Sequence, residues 1–107
     1  MIELRHYRTS TGLDPFQKWL GRLRDKVAVA KIFLRLSRVE SGSFGDCKSV
    51  GGGVWELRMD FGPGYRIYYA RDGKTVVLLL VGGDKDSQQA DIRQAIEYWV
   101  DHQRRQP

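Results

Sequence analysis

Arg58 and Arg66 flank the turn Gly62-Pro63-Gly64 in the stretch "VWELRMDFGPGYRIYY", residues 54–69. Glycine accepts positive φ and proline presets its own, so the tripeptide reads as the turn of a β-hairpin. Counting by parity along the two strands puts Trp55, Leu57, Met59 and Phe61 on one face, and Val54, Glu56, Arg58 and Asp60 on the other. If Leu57 and Ile67 face a core, both guanidinium groups stand together on the opposite face, with Tyr68 beside them. Asp84 and Lys85 follow the apolar run "TVVLLLV", and Lys48 precedes the hairpin. This set suits phosphodiester chemistry. Arginine is a permanently charged planar fork that can hold two phosphate oxygens, and an aromatic ring offers a base a stacking surface. Cleavage by a neighbouring 2′-OH also needs a proton acceptor, a proton donor and cations at phosphorus. The same residues also fit ordinary cross-strand surface pairs, worth roughly 0–1 kcal/mol each, with Tyr68 as a half-buried sheet residue.

Other chemistries find less support. One cysteine, Cys47, allows no internal disulfide, and with only His6 and His102 beside it the chain lacks a legible metal-ligand spacing. Neither histidine has a serine or cysteine placed to form a nucleophile triad. The stretch "SGSFGDCKSVGGG" (41–53) contains no GxGxxG or GxxxxGK[ST] pattern and reads as a connector loop. No cofactor is expected.

The elements that must position these residues follow from punctuation and periodicity. "MIELRHYRT" alternates like an opening strand. Asp14 is an N-cap with Pro15 at the first helical position, and Phe16, Trp19, Leu20 and Leu23 recur at helical spacing. A second helix is expected over about 26–40 with Val29, Ile32, Phe33, Leu36 and Val39 on its buried stripe, so the two helices form a hairpin. "TVVLLLV" does not alternate and is expected to be buried on both faces at the centre of the sheet. Asp86 or Ser87 caps a last helix burying Ile92, Ala95, Ile96 and Trp99, and "DHQRRQP" is a polar tail. Tyr98, next to Trp99, leaves that stripe toward the open face or edges the core. The order β-α-α-β-β-β-α over one domain, residues 1–107, gives an α+β fold: an antiparallel sheet packed on helices with one face partly open.

Charge separates the halves. The net charge is +5, and residues 1–42 hold nine Lys/Arg against four Asp/Glu, whereas residues 43–107 hold nine against nine. The excess, including Lys18, Arg22, Lys31, Arg35 and Arg38, suits a polyanion, either nucleic acid or an acidic protein, although a solvated helix face has the same composition. No apolar run reaches the ~20 residues that span a bilayer, and the opening residues lack the apolar core of a signal peptide. A cytoplasmic location is expected.

Taken together, "FGDCKSVGGGVWELRMDFGPGYRIYYA", "LLLVGGDKDSQQADIRQAIEYW" and "YRTSTGLDPFQKWLGRL" resemble the HigB-type branch of the RelE/ParE toxin superfamily, over nearly the whole chain. That resemblance implies a small twisted antiparallel sheet flanked by an N-terminal helical hairpin and a C-terminal helix. It also implies a type II toxin that enters the ribosomal A site and cuts mRNA, with a cognate acidic antitoxin as partner. By position, Arg58 and Arg66 match the strand arginines of the concave face, Lys85 a basic position at the next strand end, and Lys48 the lysine before the hairpin. Tyr98 is a possible match for an aromatic on the last helix. In the same reading Asp84 or Lys85 assists proton transfer, Tyr68 stacks a base, and Arg22, Lys31 and Arg35 contact rRNA. RelE itself carries lysines where Val54 and Glu56 stand here, so its acid and base are not inherited. The ParE side of the superfamily blocks DNA gyrase, and a degenerate member would only bind antitoxin; both remain alternatives.

Overall fold

The computed structural model describes residues 1–106. The chain runs β1 (Glu3–His6), α1 (Pro15–Arg22), α2 (Lys26–Glu40), β2 (Cys47–Gly51), β3 (Val54–Arg58), β4 (Arg66–Arg71), β5 (Val76–Gly83) and α3 (Gln88–Arg105). The α+β architecture is as expected, with one strand more: β2 lies inside the segment read as a connector. Its glycines and serines have little strand propensity, and only pairing with β3 defines it. The sheet order is β1-β5-β4-β3-β2. That order makes β4 and not β5 the middle strand, and all neighbours are antiparallel except β1 and β5, which are parallel.

The helix starts obey their caps. Asp14 accepts from Gln17 N, and Asp25 accepts from Val27 N and Ala28 N. α1 and α2 cover one face of the sheet, where Phe16, Leu20, Ile32 and Leu36 pack on Leu57, Ile67 and Leu79. α3 covers much of the other, where Ala95 and Trp99 pack on Val54, Tyr68, Ala70 and Leu80. The hairpin parity therefore holds, but both of its faces build core. α2 buries the row Ala28, Ile32, Leu36 and Val39, while Phe33, one residue off that row, is 55% exposed. α3 also continues through most of the expected tail, where His102 stacks on Trp99 and bonds Asp72 at 2.9 Å.

Candidate functional site

The register places Arg58 directly opposite Arg66 across β3 and β4. Like charges in that relation are destabilising unless something answers them. Each has a carboxylate behind it. Arg58 binds Asp46 at 3.0 Å on the exposed side, and this hydrogen bond is the main cause that raises its pKa. Arg66 lies deeper, its side chain 13% exposed, with Nε 3.8 Å from Oε1 of a Glu56 that is wholly buried. Its Nη1 donates to the carbonyls of Gly64 and Tyr65, which ties the guanidinium to the hairpin turn. A cavity of about 400 Å³ opens over the two arginines and is lined also by Lys85, Asp46, Asp60 and the turn glycines.

Glu56 is held from behind by Gln88, the first residue of α3, whose amide donates to Oε2 at 2.7 Å. Glu56 Oε1, Arg66 Nε and Tyr68 Oη are buried without a hydrogen-bond partner among the described residues. Burial first, and then the charge of Glu56, push the Tyr68 phenol up.

A β-bulge shapes the end of β5. The register with β4 shifts between Tyr68 and Tyr69, which leaves Leu80 as the extra residue and reverses the alternation beyond it. As a result Gly82 faces Trp19 of α1 and Gly83 faces Asp91 and Ser87 of α3. A Cβ on either glycine would overlap those side chains. This close approach is what the two glycines permit. Asp84 then closes the turn into α3, with Oδ1 accepting from Asp86 N at 2.9 Å and from Ser87 N at 3.2 Å. Ser87 holds the N-cap position but makes no side-chain cap bond, and the Asp84 carboxylate shapes the turn ahead of the helix without bonding any N–H of α3, so the side-chain cap expected of Asp86 or Ser87 is not made.

The expected site residues thus separate. Arg58, Arg66 and Lys85 line one cavity. Lys48, exposed on β2, stands opposite Glu56 on the same sheet face. Tyr68 offers no stacking surface, because α3 packs over it and leaves it 0% exposed. Glu56 is equally closed to a substrate. Asp84 lines a different cavity, and its carboxylate is occupied by the turn. Arg35 is not a free cation: its guanidinium donates to the carbonyls of Phe44, Asp46 and Arg58, which fastens α2 to the start of β2 and the end of β3. Lys31 is exposed, with Nζ 4.9 Å from the Phe61 ring centre. Arg22 and Tyr98 line the second cavity, where one face of Tyr98 is stacked on Tyr7 at 4.8 Å. Sequence reasoning missed Asp46, inside the supposed connector, and Gln88. An acid two residues before Lys48 was the signal for the former, and nothing local marks the latter.

Residues 18–97 match the family described as phage-derived protein Gp49-like (DUF891). An uncharacterised protein of Haemophilus influenzae is 49% identical over 80 residues, which cover 75% of this chain and 81% of that one. No helix among the described residues is long and apolar enough to cross a membrane.

Proposed function

The chain belongs to the Gp49-like family, within the RelE/ParE-like toxin group, and from that premise we propose that it is the toxin of a type II toxin–antitoxin module, of the HigB type, acting as a ribosome-dependent mRNA endonuclease in the cytoplasm. The observation that carries this reading is the directly opposed Arg58–Arg66 pair, which opens with Lys85 into one cavity. Two cross-strand cations and a third beside them form a place where an anion relieves repulsion.

In the proposed reaction the substrate 2′-oxygen attacks the adjacent phosphorus and the P–O5′ bond breaks. The products are a 2′,3′-cyclic phosphate and a 5′-hydroxyl. Arg58 and Arg66 stabilise the charge that builds on the non-bridging oxygens. Asp60, exposed at the cavity and without an ion-pair partner among the described residues, accepts the 2′ proton. The Lys85 ammonium gives a proton to the departing 5′-oxygen. The exposed Lys18, Arg22 and Lys31 supply the contact with rRNA, and Lys48 the contact with the mRNA backbone, while an acidic antitoxin neutralises the same cations.

A second reading is a protein-binding toxin of the gyrase-blocking kind. It is favoured by the burial of Glu56 and Tyr68, which takes a carboxylate and a stacking ring away from the site. Induced expression followed by mapping of mRNA 5′ ends separates the two. The nuclease reading predicts growth arrest with new 5′-hydroxyl ends in translated messages, both lost in Arg58→Ala. Arrest with intact messages and induced DNA-damage signalling would reject it in favour of the second.

A further inference from the structure

The cleft that holds Arg22 and Tyr98 is separate from the arginine cavity and is built from three elements. α1 contributes Lys18, Trp19 and Arg22, the end of β5 contributes residues 81–84, and α3 contributes Ser87, Asp91 and Tyr98. Its volume of about 370 Å³ falls within the roughly 300–1,000 Å³ of small-molecule sites. Three features of its wall point the same way. First, β1 stops pairing with β5 at Leu79, so Val81 to Gly83 run on past it with an edge that has no strand partner on that side among the described residues. Second, Asp91 is pressed against the bare Cα of Gly83, and Ser87 Oγ donates to its Oδ2; among the described residues no donor reaches Oδ1. Burial is the main cause that raises its pKa, opposed by the Ser87 bond and aided by Asp84. This carboxylate is short of N–H donors. Third, two exposed cations, Lys18 and Arg22, stand one helical turn apart at the rim, and Trp19 and Tyr98 supply aromatic walls.

We propose that this cleft binds a guanine nucleotide, with the Asp91 carboxylate accepting N1–H and N2–H of the base and Lys18 and Arg22 holding its phosphate. Guanine alone among the four RNA bases presents two adjacent N–H donors on its Watson–Crick edge. Adenine and cytosine present a donor beside an acceptor, and uracil presents one donor between two acceptors. Trp19 or the free face of Tyr98 then stacks the ring. The inference rests on the reading that the protein handles RNA, and it adds a base-selective subsite distinct from the cutting site.

The test is titration of the isolated protein with GMP, AMP, CMP and UMP, followed by amide and indole NMR shifts. GMP is expected to move the Trp19 indole and the Gly82 and Gly83 amides, and to bind at least about fivefold tighter than the other three, the lower bound for one bidentate base contact. Asp91→Asn keeps the shape and the Ser87 bond but replaces one acceptor with a donor, so it should lose the guanine preference while retaining the weak phosphate contribution. Equal binding of all four nucleotides, shifts confined to Arg58, Arg66 and Lys85, or an unchanged preference in Asp91→Asn would each overturn the proposal. Because this measurement uses no ribosome or messenger, its failure leaves the nuclease reading standing. Failure of mRNA cleavage, conversely, leaves nucleotide binding in the cleft to be read independently.

Discussion

Replacing Arg66 with alanine should destabilise the fold strongly, so that a loss of activity in that variant alone would not identify a catalytic role. Glu56 is 0% exposed, and its carboxylate meets Arg66 at 3.8 Å and the amide of Gln88 at 2.7 Å. Removing one member of a buried pair typically costs ~3–5 kcal/mol, because the other charge is left uncompensated. The pair here is loose and Gln88 remains, which selects the lower end, about 3 kcal/mol. At ~4–8 °C per kcal/mol for a domain near this size, the melting temperature should fall by roughly 12–24 °C. Glu56→Gln introduced into the same chain removes the stranded charge and keeps the side-chain volume. The double variant Arg66→Ala/Glu56→Gln should therefore recover about 2 kcal/mol, well beyond the ~0.3–0.5 kcal/mol within which independent sites add. Urea denaturation of the wild type, both single variants and the double closes this cycle. Additive effects, or an Arg66→Ala protein as stable as the wild type, would refute the view that Glu56 and Arg66 form one buried unit.

Arg35→Ala should cost about 2 kcal/mol, from the loss of charge-assisted bonds to three partly hydrated carbonyls, and hydrogen exchange should accelerate at β2, which that guanidinium ties down. Gly83→Ala should be strongly destabilising, since its Cβ overlaps Asp91 and Ser87, whereas Gly12→Ala meets no neighbour and should cost only what its positive φ demands; thermal melts of the two variants compare them. The Tyr7 phenol, pushed up to about 12 by burial and by its bond to Asp101, is a group whose folded pKa lies above its ordinary value of 10.0. Its contribution to stability should be intact below pH 10, fall as the pH rises toward about 12, and be gone above that. Tyrosinate absorbance recorded alongside unfolding at each pH checks the sign: ionisation of Tyr7 near pH 10 with no loss of stability would contradict it.

Much of the fold was readable because the signals are local. Asp14 with Pro15, and Asp25, start their helices where capping chemistry puts them. Parity alone assigned Leu57 and Ile67 to one face and Arg58 and Arg66 to the other. What escaped depends on partners distant in the chain. β2 is a strand only because β3 lies beside it, and β1 pairs in parallel only because β5 runs past it. Glu56 and Tyr68 are closed off by a helix that begins at Gln88, and the donors of Arg35 find carbonyls contributed by β3 and the loop before β2. A polar residue in an alternating strand looks the same in sequence whether water or a helix covers it. The site was therefore legible as a pair of arginines and a lysine, but not as the buried support that holds one of them.

The central claim is tested most directly by primer extension on a defined mRNA in a reconstituted translation reaction, with ribosomes present and absent. Wild type, Arg58→Ala and the charge-balanced Arg66→Ala/Glu56→Gln would be compared. The account predicts cuts that need the ribosome, carry 5′-hydroxyl ends, and vanish in both variants while those proteins remain folded. Intact messenger with the wild type, or cutting that persists in both variants, would contradict it.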